Sequence, residues 1–305
     1  MDTFPAQFAV PPDAPAEQAP PVRKRRIALP LTLFVLTGLS TLYTGAVHSE
    51  IAADGQLVPV VDWGTGLTYM LCVMSILLAH EMGHFLQALY HRIPASLPYF
   101  IPMPLMPLGT MGAVIGMQGS QADRKQLFDI GITGPIAGLV VALPIAWHGI
   151  AVAQPYAGDV PPMLVMHDPY IFTLMARHLH PQWPADQVVA ANPYYLAGWL
   201  GVLITGLNML PVSQLDGGHT AYALFGRRAH LLARGIVLSA LGAILWAGQT
   251  QWVVMLCVLF IIGVDHPPTR NDRAPLGFTR RIIGLIALLI PLFCLAAVPI
   301  SVAGE

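Results

Sequence analysis

His80, Glu81 and His84 stand in the order His-Glu-x-x-His within Leu67–Tyr90, a stretch apolar enough to lie in hydrocarbon. On a helix, residues four apart sit one turn above each other on the same face, so two imidazole nitrogens reach one metal ion. Glu81 lies about 100° further round, close enough to hold a water on that metal. Glutamate is scarce in this chain. Glu17, Glu50, Glu81 and Glu305 are the four present, and Glu81 alone falls inside an apolar helix.

Asp216 stands out among the aspartates, at the end of the fourth expected apolar span, in NMLPVSQLDGGH. Asp129 and Asp265 fall at span edges, where water is available. An ionised carboxylate in a bilayer costs several kcal/mol unless it is paired or metal-bound. Two imidazoles and one carboxylate leave a fourth tetrahedral position for water, the pattern of a catalytic rather than a structural zinc. One Zn2+ per chain, on His80, His84 and Asp216, lowers the pKa of that water from about 15.7 towards about 7. Glu81 then takes the proton as water attacks a carbonyl and returns it to the leaving amine.

A membrane must surround these groups. The 305 residues are 55% hydrophobic and only 10% charged, against about a quarter charged in soluble domains. A net charge of −1 leaves no basic face for tracking phosphates, which excludes nucleic-acid binding. Cys72, Cys257 and Cys294 lie in apolar runs and read as small hydrophobes.

The positioning elements follow from hydropathy. Residues 1–22 hold six prolines without apolar periodicity, and Arg23, Lys24, Arg25 and Arg26 follow. Residues 1–26 therefore read as a disordered cytoplasmic tail. The apolar run Ile27–Val47 is a first span, longer than the roughly 7–15 apolar residues of a signal peptide. Further spans are expected over Leu67–Leu89, Ile130–Ile150, Tyr195–Leu215, Leu231–Ala247, Val253–Val264 and Ile282–Val302. With the N-terminus inside, Arg92, Arg124, Lys125, Arg227, Arg228, Arg270, Arg273, Arg280 and Arg281 join the tail's four on the cytoplasmic side. That is thirteen of fifteen basic residues, as the positive-inside rule requires. The expected fold is an all-α polytopic membrane protein of about seven transmembrane helices, its C-terminus outside. It divides into 27–66 (first span and outside loop), a catalytic core over 67–225, and C-terminal spans over 226–305. Between spans two and three, residues 92–118 carry five prolines, and Gly109–Met117 looks strand-like. This membrane-associated loop is either interfacial or an edge strand that aligns an extended substrate. The outside loop, 151–194, carries His167, His178 and His180, whose spacing fits surface histidines better than a second metal site.

HEMGH at 80–84 together with NMLPVSQLDGG at 208–218 resembles the site-2 protease family of intramembrane zinc metalloproteases. Supporting patches are PLGTMGAVIG at 107–116, DRKQLFDIGITGPIAG at 123–138 and ANPYYLAGWLG at 191–201, similar to the plant-plastid and cyanobacterial-type branch. The resemblance covers about 67–225. It implies His80, His84 and Asp216 as zinc ligands and Glu81 as general base. It also brings Asn208 into view, either donating to the developing oxyanion or holding the span by an interhelical bond. Pro211 is expected to break the helix, with Gly217 and Gly218 permitting close approach. Gly134 and Gly138 form a GxxxG expected to pack the third span on its neighbours. His219 and His91 read as cytoplasmic boundary histidines. No insertion long enough for a PDZ domain is present, a departure from longer family members.

The expected reaction is hydrolysis of a peptide bond in or near a membrane-protein substrate's span, towards the cytoplasmic side, in regulated intramembrane proteolysis. The lipid bilayer is the other partner; no oligomeric state is encoded in these motifs. A cation transporter would need several carboxylates along a path and internal repeats. A structural relative that had lost the chemistry would lack Glu81 or a ligand.

Overall fold

The computed structural model describes residues 27–51, 57–104, 108–117, 119–155, 164–184, 187–248, 252–296 and 298–302. The expected disordered tail, 1–26, lies outside them.

The helix α1 (Ala28–Ala46) turns its apolar side chains outward and its polar ones inward, as a lipid-facing helix should. Leu29, Leu31 and Leu39 are exposed, whereas Thr37, Ser40 and Thr41 are buried. A hairpin of β1 (Val47–Ile51) and β2 (Leu57–Val61) leads to α2 (Trp63–Tyr90). Asp62 caps α2, accepting from the Gly64 N–H at 2.8 Å and the Thr65 hydroxyl at 2.6 Å. Those bonds hold the Asp62 carboxyl below the usual carboxylate range.

After α2 the proline-rich segment forms a second hairpin, β3 (Tyr99–Met103) antiparallel to β4 (Gly109–Val114). The entry to β4 is fastened from two sides. Ser40 donates to the Gly109 carbonyl at 2.6 Å and Tyr69 to the Leu108 carbonyl at 2.9 Å. Gly109 has φ +72°, and a Cβ there would come within 2.9 Å of Thr44 Oγ1.

An Asp123–Gln126 capping box opens α3 (Arg124–Ala151). The segment that follows α3 holds short strands, β5 (Gln154–Pro155), β6 (Leu164–Met166) and β7 (Val189–Ala190), and the helix α4 (Tyr170–Leu179). There His178 lies against Trp147, and His180 stacks on Trp183 and bonds the Ile150 carbonyl at 2.9 Å.

Asn192 caps α5 (Pro193–Asn208). The chain then breaks before α6 (Asp216–Phe225). Asp216 is thus the first residue of a new helix rather than the end of a fourth span. The cause is local: Pro211 has no N–H to continue α5, and a Cβ on Gly217 would overlap the Met209 carbonyl. Beyond lie α7 (Ala229–Ala247), α8 (Val253–Ile262), α9 (Phe278–Ala287) and α10 (Ile290–Cys294). Finally β8 (Ile300–Val302) pairs with β6.

Among the described residues, four helical stretches are long and apolar enough to cross a membrane: Ala28–Ala46, Trp63–Tyr90, Arg124–Ala151 and Asp216–Trp246, where α6 runs through a tight turn into α7. The remaining expected spans are shorter pieces: α5 has 16 residues and α8 has 10. The last is divided between α9, α10 and the strand β8. The main core joins α2, α3 and α5 through Val73, Ile76, Leu77, Ala142, Trp199 and Leu200.

Candidate metal centre

The site lies where α2, α3, α5 and α6 converge. His80 and His84 are 3% and 6% exposed, one turn apart on α2. Their Nε2 atoms stand 3.3 Å apart. Asp216, from a helix 132 positions further along the chain than His84, places Oδ2 at 3.2 Å from His80 Nε2 and Oδ1 at 3.2 Å from His84 Nε2. It is the one group of three or more His, Cys, Asp or Glu that could hold a metal among the described residues. Tetrahedral zinc with bonds of about 2.0–2.1 Å keeps its ligands about 3.3 Å apart, so this donor set fits that ion. As the first residue of α6, Asp216 also places its negative charge at the positive end of a helix dipole.

Backbone orients one of the imidazoles. The His84 Nδ1–H donates to the Ile130 carbonyl at 2.8 Å, which leaves Nε2 with its lone pair for a metal. Thr133 ties α3 to α2 at the same level, donating to the Gly83 carbonyl at 3.1 Å.

Gly134 and Gly138 do something other than pack spans generically. A Cβ on Gly134 would overlap the His84 imidazole, and one on Gly138 would come within 3.0 Å of His80 Nδ1. The pair is a cradle that admits two imidazoles between α2 and α3. The spacing of four signalled a helix contact, but nothing in it distinguished a backbone neighbour from a ligand ring.

The other expected site residues converge here too. Glu81 is 3% exposed on α2. Asn208, the last residue of α5, lies with Nδ2 3.3 Å from His80 Nε2.

The boundary histidines have specific partners. His219, one turn beyond Asp216, and His266, in the segment after α8, approach to 2.7 Å. Burial pushes the His266 imidazole down to about 4. It is therefore neutral. Its Nδ1–H donates to the Pro267 carbonyl at 2.5 Å, so its Nε2 accepts from the His219 Nδ1–H. Arg124 caps the far end of α6, donating to the Ala223 carbonyl and, at 2.9 Å, to that of Leu224. His91, just past α2, contacts Asp129 Oδ2 at 3.1 Å. Asp129 is not at a watery edge as its position in the sequence suggested. Its side chain is 13% exposed and paired with Arg280.

A buried His2Asp set that could hold a metal ion thus lies beside a glutamate, among helices that include stretches long and apolar enough to cross a membrane. Residues 68–247 match the model of Peptidase family M50. The chain is 32% identical over 243 residues, 78% of its length, to a probable zinc metalloprotease EGY1, chloroplastic, of Oryza sativa subsp. japonica. It is 32% identical over 254 residues (82%) to the Arabidopsis thaliana EGY1, and 28% over 230 residues (73%) to Arabidopsis thaliana EGY2. The chain belongs to peptidase family M50, the site-2 protease family, on the branch that holds these plant plastid proteins. It spans less than half the length of these relatives, 40%, 46% and 41% respectively.

Proposed function

We propose that this chain is an intramembrane zinc endopeptidase that cuts a membrane-protein substrate in or near its span, towards the cytoplasmic face. The observation that carries this reading is the 3.2–3.3 Å triangle of His80, His84 and Asp216 beside Glu81, in helices long and apolar enough to span a bilayer. Zinc bound there supplies Lewis acidity, acidifying water and polarising the scissile carbonyl. Glu81 accepts the proton of the attacking water and hands it to the leaving amine. The amide of Asn208 donates to the oxygen on which negative charge develops.

A helical substrate already satisfies its own backbone, so it must unwind before attack. Strand addition to β4 supports that step in this reading. Met111 and Val114 on β4 are 52% and 53% exposed. Gly112 faces Ile204, one turn before Asn208 on α5, which brings this strand to the level of the site.

The topology that accompanies the reading has seven crossings, with the N-terminus cytoplasmic and the C-terminus outside. It rests on the clustering of basic residues. In it α2 runs inward, and His80–His84 lies in the cytoplasmic half of the bilayer.

The test is purification in detergent, a metal measurement, and cleavage of a membrane peptide by the wild type and Glu81→Gln. Zinc in both with cleavage by the wild type alone supports the roles. Metal-dependent ion flux without proteolysis would replace this reading by a transporter.

A further inference from the structure

The family match ends at residue 247, yet a residue of α9 reaches the scaffold of the metal centre. Arg280 donates to Asp129 through a fork: Nε to Oδ1 at 2.6 Å and Nη2 to Oδ2 at 3.0 Å. The same Oδ2 meets His91 Nε2 at 3.1 Å, and His91 Nε2 is 3.2 Å from the amide of Gln87. Gln87 and His91 follow His84 by three and seven residues, so Gln87 shares the His84 stripe of α2 and His91, the C-cap, continues its line. Asp129 is therefore a junction of α2, α3 and α9. The next residue along α3 is Ile130, whose carbonyl accepts the His84 Nδ1–H at 2.8 Å.

We propose that Arg280, through Asp129, is a positioning residue for the metal centre: it fixes the register of α3 against α2 that aims His84 Nε2 at the ion. The inference rests on the reading of His80, His84 and Asp216 as zinc ligands. Its physical basis is geometric. The guanidinium fork accepts one orientation of a carboxylate, unlike a point charge. Asp129, thus fixed, holds the end of α2 by His91. The close approach at Gly134 leaves α3 no room to shift without moving the imidazole. The C-terminal helices then belong to the catalytic unit, although among the described residues the group that could hold the ion is His80, His84 and Asp216, none of it from those helices.

The experiment uses the full chain in detergent, with Arg280→Gln and Arg280→Lys. Zinc affinity is read by chelator competition, the ligand field by the absorption of the cobalt(II)-loaded protein, and the fold by the thermal midpoint without metal. Losing the fork that holds Asp129, the residue before His84's partner Ile130, is expected to weaken zinc by about tenfold and to shift the cobalt bands, with Arg280→Lys intermediate. Should Arg280→Gln fail to fold, Arg280→Lys carries the test, because lysine keeps the charge and loses the fork. Unchanged affinity and cobalt spectrum beside a lowered thermal midpoint would make Arg280 a structural brace and overturn the proposal. A wild type that binds no zinc would instead overturn the assignment of the ligands.

Discussion

Gly134 on α3 stands against the imidazole of His84 on α2 so closely that a single methyl group there would occupy the space of the ring. The imidazole and its backing residue are thereby fixed together. Gly134→Ala must displace either the imidazole or the helix. Overpacking of this kind costs about 1–3 kcal/mol, roughly a tenfold to hundredfold loss of zinc affinity. Gly235→Ala, on a face of α7 where an added Cβ meets nothing within 4 Å, is expected to leave zinc binding unchanged. Equal zinc affinities of the two variants in chelator competition would contradict the cradle.

Glu81→Gln keeps the size of the side chain and removes its basicity. Loss of a general base is expected to lower kcat by roughly 10²–10⁴, while zinc content stays at the wild-type level. Single-turnover cleavage of a membrane peptide, normalised to bound zinc, measures this. A variant that retains its rate would assign the proton transfer to another group.

Asn208→Ala separates two roles. Loss of an oxyanion donor is expected to cost about 10²–10³ in kcat with little change in KM. A residue serving only to hold α5 against α2 would lower the thermal midpoint and leave the rate per folded molecule intact. Both quantities come from the same purified sample.

The sequence singled out His80, His84 and Asp216, which the fold brings together, because their chemistry is costly in lipid: few acids lie in apolar runs, and Asp216 follows a proline break that signals a turn. It disclosed less of the framework. Gly134 and Gly138 read as packing residues because spacing reports adjacency, not the neighbour's identity. Asp129 read as solvated because its partner, Arg280, lies 151 residues away and no local pattern links them. The division of the last span into α9, α10 and β8 was hidden by uniform apolarity, since a hydropathy run shows no breaks in the helix. The pairing of β4 with β3 was partly visible in its prolines and small residues.

If an extended substrate lies along β4, charge on its exposed side should repel an apolar segment. Met111→Asp is expected to raise KM several-fold, with zinc content and kcat nearly unchanged. A fall in kcat at constant KM would remove β4 from substrate binding.

The most direct test of the central claim is zinc stoichiometry in the purified chain, wild type against Asp216→Ala, after dialysis against a moderate chelator. One zinc per chain in the wild type and almost none in Asp216→Ala is the expected result, because two imidazoles alone hold the ion weakly. Equal zinc in both proteins would show that α6 contributes no ligand and would contradict the shared site.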